Sequence, residues 1–154
     1  MPHTLRDFLT GATPKAAAEL AAALLRIPED KRNWKPEGKA RTALDQIAEC
    51  ALLNGNTAEL IQTRTWVQHS FEDFLRAKAE AAAQDWERLH ALLQENTNRV
   101  VAVIRAVPDD ALSVEIELPW GKSTLAEIIS YPYWNMTYHL GQINYIASML
   151  GCLP

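Results

Sequence analysis

The chain has 154 residues, 48% of them hydrophobic, which is enough for one domain with a substantial core. Its formal net charge is -4, with lysine and arginine scattered among aspartate and glutamate, so no basic stripe exists to neutralise phosphates and nucleic-acid binding is disfavoured. No stretch approaches the roughly 18 uninterrupted apolar residues of a membrane span, MPHTLRDFLTG lacks the apolar run of a signal peptide, and two cysteines, Cys50 and Cys152, are too few for a disulfide framework; a cytoplasmic protein with no membrane partner is expected.

Thr13-Pro14 reads as the start of a first helix, threonine capping and proline in the first turn, followed by AAAELAAALLRI. That helix should stop before Pro28. The charged loop PEDKRNWKPEGK follows, with Trp34 placed to anchor it on the body of the protein. A second helix spans about Ala40 to Asn54, with Ala40, Leu44, Ile47 and Ala51 on one face and Gly55 as its stop. Gln46, Cys50 and Leu53 share an edge of that face, and Gln46 is the polar side chain best placed to lean inward. Glu49 and Asp45 fall on the outward side as solvated charges.

A long connection, residues 55 to 79, holds the turn signal NGNT, Trp66 and a helix start at Ser70 with Asp73 three residues on. The third helix carries the seam Trp86, Leu93, Thr97, Val100, Ile104 and Val107, ends before Pro108 and should run about 25 residues, near 37 Å. SVEIELPWGKS is too short for a sheet of its own and reads as an extended crossing segment. Thr124 and Glu127 form a capping box that opens the last helix, in which Pro132 should introduce a kink.

Four helices without a strand partner make an all-α fold, a four-helix bundle forming a single domain over residues 1–154. The long second connection lets the chain return along the bundle, so helices two and three can run parallel, in an up-down-down-up order.

The last helix repeats Ile128, Pro132, Asn135, His139, Ile143, Ile146 and Leu150 at inward-facing spacing. Two polar side chains thus occupy core positions and need partners: each other, water or a ligand. Asn135 and His139 are four apart, a spacing at which two helix residues can hold one metal ion, although an amide is a poor ligand for zinc or nickel. A core histidine bonded to a neighbouring amide or tyrosine is the simpler reading. Cys50 and His139 could also form a nucleophile and base, but a helical cysteine is more often an inert hydrophobe. His90 and His69 read as surface or seam-edge residues and His3 as part of the N-terminal tail. Trp120, Tyr131, Tyr133, Trp134 and Tyr138 surround the start of the last helix, as a pocket mouth, a bundle end or a subunit interface.

With Trp34 and Pro36 before helix two, the long connection, and then ELPWGKSTLAEIISYPYWNMTYHLGQINYIASMLG, the chain strongly resembles the DinB-like superfamily of four-helix bundles. The likeness covers most of the chain and is sharpest over residues 114 to 151. It implies an up-down-down-up bundle, often a homodimer, with a divalent metal held by three histidines, one on helix two and two from a His-x-x-x-His on the last helix. Some relatives are thiol-dependent S-transferases or isomerases. The corresponding positions here are Gln46, Asn135 and His139, with Glu49 or Cys50 as substitutes on helix two. Two amides and one imidazole lack the charge and softness to hold zinc or nickel tightly. What the resemblance implies is a DinB-like protein with a degenerate metal site, in which Gln142, Cys50 and Tyr138 border a small polar pocket for a small-molecule ligand. The alternatives are an active transferase or hydrolase using a divalent metal (zinc, nickel or manganese) at His139, Asn135 and Gln46, and a non-enzymatic dimeric interaction protein.

Overall fold

The computed structural model describes residues 4–68 and 70–153. Among the described residues five α-helices and one hairpin follow in order: α1 (Leu5–Leu25), α2 (Ala43–Thr63), α3 (Phe71–Ala82), α4 (Trp86–Arg105), β1 (Glu115–Leu118), β2 (Gly121–Thr124) and α5 (Leu125–Met149). The four long helices form the bundle and α3 lies in the connection between α2 and α4.

Polar contacts between helices fix their directions. Arg6, at the start of α1, donates to the Val107 carbonyl beyond the end of α4 at 2.7 Å. Arg26, just after α1, donates to Asn144 near the end of α5 at 3.1 Å, so α1 and α5 are parallel. Asn96 of α4 donates to the Ala51 carbonyl of α2 at 2.8 Å and Asn54 to Thr97 at 3.0 Å, while Ala43 and Ile47 share one apolar cluster with Leu89 and Leu93 and Ala58 and Ile61 the other with Val100 and Ile104, which makes α2 and α4 the second parallel pair. The order is up-down-down-up, as the linker lengths suggested. Two apolar clusters fill the interior, one around Leu20, Leu24, Ile47, Leu93 and Ile143, the other around Leu9, Ile61, Ile104, Leu125 and Ile129. Buried Thr13, Asn54 and Thr97 fall between them along the chain's helices.

Several boundaries differ from those read in the sequence. Helix α1 starts nine residues before Pro14, at a capping box in which Thr4 accepts from the Asp7 amide and Asp7 from the Thr4 amide. Pro14 is therefore inside the helix, where it forgoes a backbone bond to Thr10, and Thr13 is buried instead of being a cap. Helix α2 runs through Gly55 to Thr63, because that glycine faces α4: an added Cβ would lie 2.9 Å from Asn96 Nδ2. The NGNT stretch is thus helical, and the αL residue that ends α2 is Arg64, φ 59°.

Ser70 does begin a helix, accepting from the Asp73 amide at 3.0 Å, but Asp85 then caps a separate one, leaving α4 with 20 residues, shorter than expected. Trp34 packs partly buried against the first apolar cluster, as anticipated. The segment read as a crossing strand folds back on itself. Glu115 pairs with Thr124 and Leu118 with Gly121 around Pro119-Trp120, and Ile116 plugs into the second cluster. Burial of that one side chain and of the capped helix beneath supports a hairpin that two strands alone would not stabilise. Thr124 ends β2 and caps α5, its amide donating to Glu127 Oε2 at 2.7 Å. Helix α5 then continues as one element through Pro132. Among the described residues no helix is long and apolar enough to cross a membrane.

Candidate functional site

Helix α2 is capped by Thr42, which accepts from the Asp45 amide at 3.1 Å. From there Gln46, Glu49, Cys50 and Leu53 follow at helical spacing along the side facing α5. Helix α5 runs the opposite way past it, setting Gln142, His139 and Asn135 against Gln46, Glu49 and Cys50. Of the predicted inward stripe of α5, Ile128, Pro132, Asn135, His139, Ile143 and Ile146 are buried, and Leu150, at the helix end, is half-buried.

His139 is the centre of the cluster. Its Nδ1 lies 3.0 Å from Gln46 Oε1 and 2.7 Å from Gln142 Oε1, and its Nε2 lies 3.0 Å from Glu49 Oε1. Gln46 Nε2 donates to the Arg41 carbonyl at 3.4 Å, which orients the Gln46 oxygen toward the ring. All three contacts are made when each ring nitrogen carries a hydrogen and donates it. Tyr138 lies edge-on to the ring, centroids 5.3 Å apart, with its own side chain half exposed at the mouth.

The Glu49 carboxylate is held by the His139 ring on one oxygen and by Arg41 on the other. The Arg41 guanidinium, just ahead of the α2 cap, meets Glu49 Oε2 at 2.7 Å and is also bonded to Asp45, whose other oxygen meets Lys78 of α3 at 3.1 Å. Burial alone would raise the Glu49 pKa; the hydrogen bond from His139 and the charge of Arg41 outweigh it and lower the carboxyl to about 2. Burial likewise works against the Arg41 charge, and Asp45 and Glu49 overcome it, raising its pKa. The sequence reading put Glu49 and Asp45 in solvent. They are instead partly buried and paired, because Arg41 and His139, eight residues before and 90 after Glu49, converge on them. The three-residue step from Gln46 to Glu49 was the available signal.

Asn135 faces inward and is buried. It donates to Cys50 Sγ at 3.6 Å, so the expected Gln46, Asn135 and His139 set divides into a Gln46–His139–Gln142–Glu49 cluster and an Asn135–Cys50 pair. Burial, with Glu49 close by, pushes the Cys50 thiol far above its ordinary value, which disqualifies it as a nucleophile poised by His139. His90 is stacked on Trp86 at 4.9 Å and half-buried, consistent with a seam edge. His3 and His69 lie outside the described residues.

A metal ion would need lone pairs directed at one point. Here both ring nitrogens of His139 are directed at protein oxygens, and the nearest carboxylate is committed to a guanidinium whose positive charge would sit beside the ion. Among the described residues no group of three His, Cys, Asp or Glu side chains converges as a ligand set. The donor set does not fit a tightly held zinc or nickel. Next to the cluster a groove of about 500 Å³ is lined by Gln46, Gln142, Arg41, Lys39, Tyr138 and Tyr145, with no carboxylate among the described residues that line it.

The up-down-down-up bundle thus carries its polar cluster on its second and last long helices. A sequence model of the DinB superfamily matches residues 12–143, and the chain belongs to that superfamily. Among solved structures it is similar to YfiT from Bacillus subtilis, described as a probable metal-dependent hydrolase with an unusual four-helix bundle topology, at 17% identity over 95% of this chain and 87% of that one, TM-score 0.80. It is also similar to a mycothiol-dependent maleylpyruvate isomerase, at 14% identity over 93% of this chain and 61% of that one, TM-score 0.70. The DinB-like protein YjoA of Bacillus subtilis matches at 15% identity over 93% and 92%, TM-score 0.67. At these identities the likeness is one of fold. No curated protein matches.

Proposed function

We propose that this DinB-superfamily bundle carries a degenerate metal site, and that the polar groove beside it binds a small anionic molecule without a metal. The observation that carries the reading is the occupancy of His139: protein oxygens lie at 2.7 to 3.0 Å from both ring nitrogens, and the Glu49–Arg41 ion pair occupies the side where a cation would need negative charge. Arg41 and Lys39 at the groove, with the two glutamine amides, favour a carboxylate-bearing ligand.

The competing reading, a divalent-metal-dependent transferase or hydrolase, draws its support from the description of YfiT as a probable metal-dependent hydrolase. Thermal unfolding with excess zinc, nickel or manganese, for the natural chain and His139→Ala, separates the two. A ligand at a hundred times its Kd stabilises a fold by about 2.7 kcal/mol. No metal-dependent shift that requires His139 is expected, and such a shift would overturn the degenerate-site reading in favour of the metal enzyme. A panel of small carboxylates in the same assay should raise the midpoint, and the rise should be lost in Arg41→Ala.

The reading includes a cytoplasmic homodimer. Its support is the outer face of α5, where Tyr131, Trp134 and Tyr138 stack successively at 5.8 and 5.4 Å and Tyr145 and Met149 continue the exposed stripe. A monomer by light scattering would remove the dimer from it.

A further inference from the structure

A second depression lies one helical turn beyond Glu49, toward the hairpin end of the bundle, and its chemistry is opposite to that of the groove beside His139. Leu53, Asn56 and Leu60 of α2 form its floor. Trp66, just after α2, and Trp120, at the hairpin turn, meet edge to face with centroids 5.0 Å apart and line both of its lobes. The lobe toward α3, about 390 Å³, adds Phe71 and Phe74; the lobe toward α5, about 470 Å³, adds Ile128 and Tyr131.

The charged residues among the described ones that line it are both acidic. Glu59 lines the first lobe and Glu127 the second, and among the described residues lining either lobe there is no lysine or arginine. Glu127 uses Oε2 for the α5 cap, which leaves its other oxygen for a ligand. The Tyr131 hydroxyl, its pKa raised to about 12 by burial and by nearby Glu49 and Cys50, stays protonated and adds no charge. At the hairpin turn Trp120 has 70% of its surface exposed, so its indole is available to a ligand. Indole faces carry negative potential, so tryptophans beside a carboxylate, with an apolar floor, complement a positive charge attached to a hydrocarbon body.

We infer that this depression binds a small organic ammonium ion, its apolar body against Leu53, Leu60 and the Trp66–Trp120 pair and its charged end toward Glu127. Neutral apolar molecules would gain only the burial. Anions would meet Glu59 and Glu127 without a compensating cation.

Calorimetric titration with 2-phenylethylammonium, 2-phenylethanol and phenylacetate tests this, since the three share a body and differ in charge. The ammonium should bind about tenfold more tightly than the alcohol, with no binding of the acid up to about 10 mM. Trp120→Ala, at an exposed position, and Glu127→Gln, which keeps the cap because glutamine serves there too, should each weaken the ammonium several-fold, with circular dichroism confirming the fold. Equal affinity for ammonium and alcohol would overturn the cation preference. Absence of binding by all three, or ammonium affinity unchanged in Trp120→Ala, would overturn the site. None of these readouts depends on His139 or Arg41, so they fail or succeed apart from the anion-groove reading.

Discussion

Glu49→Gln isolates the electrostatic part of the His139 cluster, because glutamine still offers an oxygen to Nε2 but no longer a charge to Arg41. A carboxyl held at about 2 in place of 4.5 corresponds to about 3 kcal/mol in favour of the ionised form. The side chains of Glu49 and Arg41 remain 17% and 33% exposed, so water screens part of this, and a loss of about 1 to 2 kcal/mol at pH 7 is expected on substitution. The folded carboxyl takes up its proton less readily than the unfolded one. Its contribution is therefore complete above about pH 4.5 and lost as the pH falls through about 2. Urea unfolding followed by circular dichroism, run on both proteins at pH 7 and at steps down to pH 2, should show the gap between them shrinking across that window. Other acidic groups titrate in both proteins and cancel in the difference. A gap that is absent at pH 7, or as large at pH 2 as at pH 7, would refute the Glu49–Arg41–His139 linkage.

Gly55→Ala should destabilise by about 1 to 2 kcal/mol in spite of alanine's higher helix propensity, since the new methyl must displace Asn96 from the Ala51 carbonyl; combined with Asn96→Ala in a double-mutant cycle, most of that cost should vanish. A thiol reagent on the folded chain should label Cys152 readily and Cys50 only on unfolding, as mass spectrometry of the labelled peptides would show, because Cys50 is fully buried and its thiol is held protonated. Thr124→Ala should cost about 1 kcal/mol of stability in chemical denaturation by removing the cap and its box with Glu127.

Signals that act over three or four residues were readable directly. The caps at Ser70 and Thr124 and the inward stripe of α5 depend only on neighbours within a turn or two, and the structure has them where the spacing put them. Misreadings arose where a distant partner outweighed a local preference. Glycine costs a helix about 1 kcal/mol, yet Gly55 is helical because α4 approaches too closely for a side chain. Pro14 resembles a start, but the Thr4 capping box ten residues earlier sets the real one, and a capped helix can carry one proline in its body. The inward turn of Gln46 was legible as an edge position. Its place beside His139, 93 residues away, came from the family resemblance and not from spacing, and the recruitment of Glu49 was not legible, since charge on a helix usually signals solvent and only the fold supplies Arg41 as the reason to bury it. Asn135 was correctly placed in the interior, but its partner Cys50 lies about one turn of α2 beyond Gln46, a difference that no spacing rule resolves.

Helix α3 rests on the bundle lightly. Of its twelve residues only Ala81 is buried, and the Lys78–Asp45 ion pair is its charged tether to α2, while Phe71 and Leu75 remain in water. A segment with so little apolar burial opens at far lower free energy than the helices beneath it. The amides of α3 belong to a shallow cooperative unit, exchanging with solvent while the bundle stays closed, and salt that screens the tether loosens that unit first.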